Sequence, residues 1–472
     1  MAEKKESNKT KQLRKRLARE PQRCWDNISA SQREEIFAYC DKYKYFLNHA
    51  ITERKAAKMI TEAAEKEGYS PLSDQTTPGS KVYHVSRGKL VALAVMGRKP
   101  LTDGIRIITS HIDCPRLDLK PNPLFEESGL AYLKTHYYGG IKKYHWVGRP
   151  LALCGTVIKT DGRTIDVEVG ASSDDPVFTI PDLLPHLSRK MMDQKASEFI
   201  PAENLNVIVG GLPYPDKDAG DRVKLAILEI LYKKYGLKEE DLIGAEIEVV
   251  PAEPARDAGL DRSLILGYGQ DDRICAYTAL TAILGTNEPE QTTVAVFYDK
   301  EEIGSEGNTS AKSRVFEMFL ADLMYSSGTK PTSRDMQRCL YRSKALSADV
   351  TAAFDPTYPD VFEKRNCAFL GYGVNLTKYT GHGGKYMASE ANAEYVHWIK
   401  KLFNDNEVVW QAGDLGKIDE GGGGTVAKYL ANCGMEIIDC GPALLGMHSP
   451  MELSSKDDVW MCHKAFHVFF TK

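Results

Sequence analysis

Two adjacent glutamates follow a short apolar segment in the second half of the chain. Glu301 and Glu302 are separated only by Asp299 and Lys300 from residues 292–298, whose apolar and β-rich composition predicts a buried strand. Ionised carboxylates at the end of a buried strand repel each other and are costly to desolvate, so a bound dication would stabilise them. Because neighbouring residues of an extended chain point in different directions, one glutamate could bind a metal while the other faces a substrate. The ordinary alternative is a solvated strand end with two surface glutamates.

Other residues with metal-binding side chains also lie at the boundaries of predicted elements. The candidate ligands are His111, Asp271, Glu302, Asp349 and His448. All except Asp271, which opens a predicted helix and could simply cap it, lie at or just beyond the end of a predicted strand. Sites in open α/β sheets form outside the carboxyl ends of the strands, so these positions can converge. Two histidines and three carboxylates suit two zinc-like ions bridged by one carboxylate and one water, which indicates a metal hydrolase.

The elements that must position these residues change in character along the chain. Strands are predicted over residues 81–97 and 104–110, and strands and helices alternate after residue 267. Between about residues 117 and 182, short β-like runs and Pro/Gly breaks include a hairpin formed by residues 152–159 and 164–169. We therefore expect an α/β fold with an inserted β-rich domain. The expected parts are residues 1–115 and 256–472 for the catalytic domain, with 1–20 flexible, and 116–255 for the insertion.

Composition and charge exclude several classes of function. The chain has 472 residues, 42% hydrophobic and 27% charged, with a net charge of −4, which is typical of a globular protein of about two domains. This charge argues against nucleic acid or a membrane surface as the main partner, and no apolar window is long enough for a membrane span. The basic residues 1–20 lack the apolar core of a secretory signal, although they leave nucleic-acid binding as a rival hypothesis. Ten cysteines without a C-x-x-C pair indicate reduced thiols and a cytoplasmic location.

Five short motifs occur in the order and approximate spacing of a known enzyme family. They are His111-Ile-Asp113, Gln270-Asp-Asp-Arg273, Asp299-Lys-Glu-Glu-Ile-Gly-Ser305, Ser347-Ala-Asp349 and Met447-His-Ser449. From about residue 80 to the C-terminus the chain resembles the aspartyl aminopeptidases, the M18 family of metallo-aminopeptidases. The resemblance implies a central mixed sheet flanked by helices, as in the wider group of zinc aminopeptidases. It also implies an aminopeptidase that removes N-terminal residues from peptides.

The resemblance implies a role for each motif residue. Two Zn²⁺ per subunit are expected, with Co²⁺ or Mn²⁺ as substitutes. One ion would be held by His111, Asp271 and Asp349, and the other by Asp271, Glu302 and His448. Glu301 would be the general base that accepts the proton of a metal-activated water, and Asp113 would orient His111, with Asp272 behind the ligands.

The resemblance also suggests how substrate is bound and how subunits assemble. His186 resembles a histidine that reaches the active site of a neighbouring subunit, and Lys378 lies near the position of a basic residue close to the substrate. The inserted domain implies a homo-oligomer in which dimers form a larger closed shell, a dodecamer. The family suggests substrates with N-terminal Asp or Glu, while a preference for neutral residues stays open. A di-zinc carboxypeptidase or deacylase and an inactive shell-forming scaffold are the alternative functions.

Overall fold

A computed structural model describes residues 7–73 and 75–472. Residues 1–20 are expected to be flexible, and residues 1–6 of that segment lie outside the described residues. Within residues 7–73 and 75–472, no helix is both long and apolar enough to cross a membrane. The α-helices are α1 (Asn8–Leu17), α2 (Ala30–His49), α3 (Glu53–Lys66), α4 (Arg189–Met192), α5 (Arg222–Tyr235), α6 (Gln270–Leu284), α7 (Val315–Ser326), α8 (Ser333–Arg342), α9 (Ala393–Asp405), α10 (Ala427–Ala431) and α11 (Lys456–Thr471).

The strands form two large sheets and two small ones. They are β1 (Ser70–Pro71), β2 (Lys81–Ser86), β3 (Leu90–Val95), β4 (Arg106–His111), β5 (Arg116–Glu127), β6 (Leu130–Tyr138), β7 (Leu151–Ile158), β8 (Thr164–Val169), β9 (Asn206–Gly210), β10 (Glu246–Pro251), β11 (Arg256–Ala258), β12 (Leu264–Gly267), β13 (Thr293–Tyr298), β14 (Lys344–Ser347), β15 (Thr351–Ala352), β16 (Val374–Thr377), β17 (Trp410–Ala412), β18 (Glu436–Gly441), β19 (Ala443–Leu444) and β20 (Glu452–Ser455).

The larger sheet is mixed, and its four central strands are parallel. Its order is β1-β2-β3-β13-β4-β14-β18-β16-β17. The parallel block β13-β4-β14-β18 is flanked by antiparallel pairings with β3 on one side and β16 on the other. The expectation of a central mixed sheet flanked by helices is thus confirmed.

Successive side chains of the central strands enter two separate cores. Ile108 and Phe297 pack on the face covered by α2, α3, α6, α9 and α11, whereas their neighbours Ile107 and Val296 pack against α7, α8 and α10. This alternation follows from the two-residue period of a strand, and burial on both faces explains the continuous apolar runs in the sequence. The result is a three-layered unit with helices on each side of the sheet.

The second large sheet is antiparallel and has a core of its own. Its order is β8-β7-β10-β5-β6-β9, formed by residues between Arg116 and Pro251, and α5 packs on it. The predicted hairpin of residues 152–159 and 164–169 is confirmed as the pair β7–β8. This six-stranded sheet lies within the range of the expected insertion, whose limits at 116 and 255 stay predictions.

The register of the parallel strands brings three strand ends to one place. Tyr298, the last residue of β13, lies opposite His111, the last residue of β4, and Ser347 at the end of β14 lies opposite Thr109. Residues that follow these strands therefore emerge side by side at the carboxyl ends of the parallel block, where α/β sheets form their sites.

Because β14 is central, we expect truncation of Leu346 to destabilise the fold. Leu346 is fully buried in β14, and Leu346→Ala should lower the free energy of unfolding by about 2–5 kcal/mol through lost burial and a cavity. The control is Leu260→Ala, at a leucine that is fully exposed, with an expected change within about 0.5 kcal/mol. Urea unfolding of both variants measures the difference, and equal losses would contradict the assignment of β14 to the core.

Candidate metal centre

The six residues proposed from the sequence as metal ligands and general base line one cavity of about 500 Å³. His111 ends β4, Glu301 and Glu302 follow β13, and Asp349 follows β14. Asp271 comes from the first turn of α6, and His448 from the segment between β19 and β20. Helix α6 is buried on nearly all sides, between the sheet and α2 and α11, which fixes the position of Asp271.

Asp271 lies between the two histidines. Its Oδ1 is 3.1 Å from His111 Nε2, and its Oδ2 is 3.2 Å from His448 Nε2. Glu302 Oε2 lies 3.4 Å from the same nitrogen of His448. The Asp271 carboxylate therefore directs a different oxygen to each histidine. This is the arrangement expected of a carboxylate that is shared by two metal ions.

Two groups of side chains at or directly behind the cavity wall are close enough to hold metal ions. His111, Asp271 and Glu302 have ligand atoms within 4.8 Å of one another, as do His111, Asp272 and Asp349. Imidazole nitrogens together with carboxylate oxygens are a donor set that suits zinc. Oε1 of Glu302 and Oδ1 of Asp272 are buried without a hydrogen-bond partner, so each has an unused acceptor inside the protein. The residues present therefore fit a bound dication.

Three carboxyl groups of the cavity, those of Glu301, Glu302 and Asp349, are unfavourable as anions in their surroundings, whereas the two histidines hold the pKa of Asp271 below its usual value. Burial, reinforced by the charge of Asp271, raises the pKa of Glu302 well above its usual range. Burial and the charge of Asp272 do the same to the pKa of Asp349, and burial raises the pKa of Glu301 to about 7. Clustered carboxylates in a buried site are stabilised as anions by a nearby positive charge.

The neighbouring carboxylates raise the pKa values of the two histidines, which favours their positively charged forms. Burial alone would lower the pKa of His111, but hydrogen bonds to Asp113 and Asp271 raise it well above the ordinary value. For His448, burial is likewise outweighed by Asp271 and Glu302, and its pKa rises to about 10. Both rings thus lie in a field that attracts positive charge, whether a proton or a metal ion.

Asp113 supports more of the site than the sequence predicts. Its main-chain oxygen lies 3.0 Å from His111 Nδ1, which orients the ring. Its carboxylate accepts hydrogen bonds from the backbone N–H groups of Glu301, at 3.1 Å, and Glu302, at 3.2 Å. The same residue therefore fixes one histidine and the turn that carries both glutamates.

Glu452 on β20 is a supporting residue that sequence reasoning missed. Its Oε2 accepts from the backbone N–H of Asp271 at 3.0 Å, and its Oε1 from that of His448 at 2.9 Å. It is 1% exposed, and burial raises its pKa to about 8. A glutamate in a strand that is otherwise uncharged, four residues after His448, was the available signal.

Asp272 and the segment after β6 also contact the site. The backbone N–H of His111 donates to Asp272 Oδ2 at 3.3 Å, and the peptide bond between Asp271 and Asp272 is cis. His448 Nδ1 lies 3.0 Å from the Gly140 carbonyl oxygen, which can only accept, so Nδ1 carries the proton and Nε2 can act as a ligand. No local sequence pattern indicates the contact between Gly140 and His448.

His186 and Lys378 are not brought to the cavity by this chain. His186 is exposed on the irregular segment between β8 and β9. Lys378 follows β16; its neighbours Thr377 and Tyr379 line the cavity, but its own ammonium group pairs with Glu390 at 3.2 Å. Successive residues of an extended chain point to opposite sides, which explains this placement. The lysines that do line the cavity are Lys385, Lys417 and Lys428.

Comparison with known proteins agrees with this geometry. A family profile described as aminopeptidase I zinc metalloprotease (M18) matches residues 46–470. A relative from Clostridium acetobutylicum, "Probable M18 family aminopeptidase 1", is 45% identical over 459 residues, covering 96% of this chain and 98% of the relative. The crystal structure of the M18 aminopeptidase from Thermotoga maritima is 46% identical with a TM-score of 0.93, covering 96% of this chain and all of that one.

A more distant structure shares the fold. The S. cerevisiae mApe1 dodecamer is 22% identical with a TM-score of 0.73, covering 91% of this chain and 95% of that one. The profile and the two closer relatives span nearly the whole chain, including both large sheets and every residue of the candidate metal centre. The chain therefore belongs to the M18 family of zinc metalloproteases, and it is a metallo-aminopeptidase.

Proposed function

We propose that this chain is a di-zinc aminopeptidase with Glu301 as general base. The observation that carries the proposal is the convergence of two histidines and several buried carboxylates on one cavity, with Asp271 between the histidines. His111, Asp271 and Asp349 would hold one ion, and Asp271, Glu302 and His448 the other. Zinc, when bound, supplies Lewis acidity that activates water and polarises a carbonyl group near neutral pH.

The environments of the two glutamates support different roles. The side chain of Glu302 is 3% exposed, contacts His448 and belongs to one of the clusters able to hold a metal. Glu301 lines the cavity but belongs to neither cluster. Asp113 accepts a hydrogen bond from the backbone N–H of Glu301 and so fixes the position of that residue. From this fixed position the Glu301 carboxylate can accept a proton from the attacking water and return it to the leaving amine.

We further propose that the enzyme removes acidic N-terminal residues, Asp or Glu. Lys417 and Lys428 line the cavity, and neither makes an ion pair with any residue in 7–73 or 75–472. Their ammonium groups are thus available for a carboxylate of the substrate side chain. A preference for neutral residues is the alternative that a substrate panel distinguishes.

We also propose a homo-oligomer of dimers that form a closed shell, and a cytoplasmic location. Leu183, Leu184, Leu187 and Met192 are exposed on the segment that carries His186, and such apolar patches are typical of interaction surfaces. The related fold seen in the yeast dodecamer supports this assembly. Ten cysteines, none in a disulfide, suit a reducing compartment.

The reaction class and specificity can be tested with aminoacyl chromogenic substrates. We expect cleavage of substrates with free N-terminal Asp or Glu faster than Leu, no cleavage of N-acetylated controls, and loss of activity in a chelator that zinc restores. Initial rates for each substrate measure the preference. Faster cleavage of Leu would replace the acidic preference with a neutral one, and chelator-resistant activity would contradict the metal mechanism.

The two glutamates should give different losses when each is made neutral. Glu301→Gln should retain zinc but lower kcat by roughly 100-fold or more, because the general base is removed. Glu302→Gln, the matched variant at the adjacent position, should lose zinc because a ligand is removed. Elemental analysis of zinc together with kcat measures both effects, and the reverse pattern would mean that the two roles are exchanged.

If His186 acts in the active site of a neighbouring subunit, loss of activity should be recoverable by mixing. His186→Ala should lower kcat by roughly 100-fold without loss of zinc. The control is His136→Ala, at another exposed histidine, which should leave kcat unchanged. Co-assembled His186→Ala and Glu301→Gln subunits should regain activity, since an intact His186 then meets an intact Glu301. Activity of His186→Ala equal to that of the unmodified enzyme would exclude the contact.

A further inference from the structure

One short segment of the six-stranded sheet contacts both halves of the candidate metal centre. It comprises Tyr138, the last residue of β6, and the two glycines that follow. The Tyr138 hydroxyl donates to Asp113 Oδ2 at 2.8 Å, and the Gly140 carbonyl accepts from His448 Nδ1 at 3.0 Å. Asp113 supports His111 and the turn of the glutamates, so the segment touches supports of both proposed zinc sites.

The glycines allow this segment to lie directly against the site. Gly139 has a φ of +74°, and a Cβ there would be 3.3 Å from the Cβ of Glu302. A Cβ on Gly140 would be 3.1 Å from His448 Nδ1. The backbone of the segment is therefore packed against two proposed ligands with no room for intervening side chains.

The position of Tyr138 is set by residues of its own sheet. The guanidinium group of Arg116 on β5 lies 3.9 Å from the centre of the tyrosine ring. Arg116 is buried and is held by Asp118 on β5, at 2.8 Å, and by Glu248 on β10, at 3.3 Å. Three strands of the six-stranded sheet thus determine where the phenol hydroxyl points.

The Asp113 carboxylate connects this hydroxyl to the glutamates. Both of its oxygens accept backbone N–H groups, from Glu301 and Glu302, and Oδ2 also accepts the Tyr138 hydroxyl. Removing the hydroxyl would leave Oδ2 with the Glu302 N–H as its donor, so the two backbone hydrogen bonds would have to hold the carboxylate without the phenol. The turn that carries the general base and a metal ligand would then be held less firmly.

We propose that Tyr138 is a positioning residue, through which the six-stranded sheet holds Asp113 and thereby the turn of Glu301 and Glu302 in the geometry needed for zinc binding and catalysis. The inference rests on the proposed function. It assigns to this sheet a direct part in the metal centre, in addition to its proposed part in assembly. Tyr138 does not line the cavity, so it acts through Asp113 and does not contact substrate.

The test compares two phenylalanine variants in the full-length, assembled enzyme. Tyr138→Phe removes only the hydroxyl, and Tyr137→Phe makes the same change at an exposed neighbour. We expect Tyr138→Phe to weaken zinc binding, measured by competition with a chelator, and to lower kcat, each by about 10- to 100-fold. KM should be unchanged, and Tyr137→Phe should match the unmodified enzyme in all three quantities.

A double-mutant cycle with Asp113→Asn tests the route of the effect. If Tyr138 acts through Asp113, the loss of zinc affinity in the double variant should be smaller than the product of the two single losses. A merely structural tyrosine would lower the melting temperature while leaving zinc affinity and kcat of the folded enzyme unchanged. That result, or a strictly multiplicative cycle, would overturn the inference.

These outcomes are separable from failure of the proposed function. An unmodified enzyme that binds no zinc would overturn the proposed function and this inference with it. An unmodified enzyme that binds zinc and cleaves free N-termini, with Tyr138→Phe equal to Tyr137→Phe in zinc affinity and kcat, would overturn this inference alone.

Discussion

Repulsion among buried carboxylates at the ends of the parallel strands is the constraint on which the rest of the structure depends. Asp271 and the side chain of Glu302 are buried, Asp349 is partly buried beside them, and desolvation raises the pKa of Glu302 and Asp349. Such a cluster is costly unless positive charge lies beside it. The fold therefore has to bring the two histidines, and a cation, to the same place.

Hydrogen bonds from the backbone of the site to two supporting side chains hold the clustered residues in place. Glu452 holds the main-chain N–H groups of Asp271 and His448, and Asp113 holds those of Glu301 and Glu302. Both supports are themselves buried acidic side chains, Glu452 at 1% exposure and Asp113 at 0%, so they fix the geometry of the site from inside the protein. Residues that orient metal ligands in this way usually contribute strongly to metal affinity and to activity.

The larger sheet places proposed metal ligands, and the antiparallel sheet supplies supporting contacts to the same site. The parallel strands place the ligands, because their carboxyl ends are aligned by register. The antiparallel sheet adds the Tyr138 hydroxyl and the Gly140 carbonyl from outside. The candidate metal centre is therefore contacted by residues of both units.

The amino-acid sequence by itself determined the mixed α/β class, the hairpin β7–β8 and the residues that meet in the cavity, because each follows from a local pattern: an apolar run, a turn, or a polar side chain at the end of a strand. It did not reveal Glu452, Tyr138 or Gly140 as supports, nor that the ammonium group of Lys378 pairs with Glu390. These depend on how distant segments pack and on which side of a strand a side chain emerges. Only the tertiary structure decides such contacts, since hydrogen bonds across sheets leave no periodic signal along the chain.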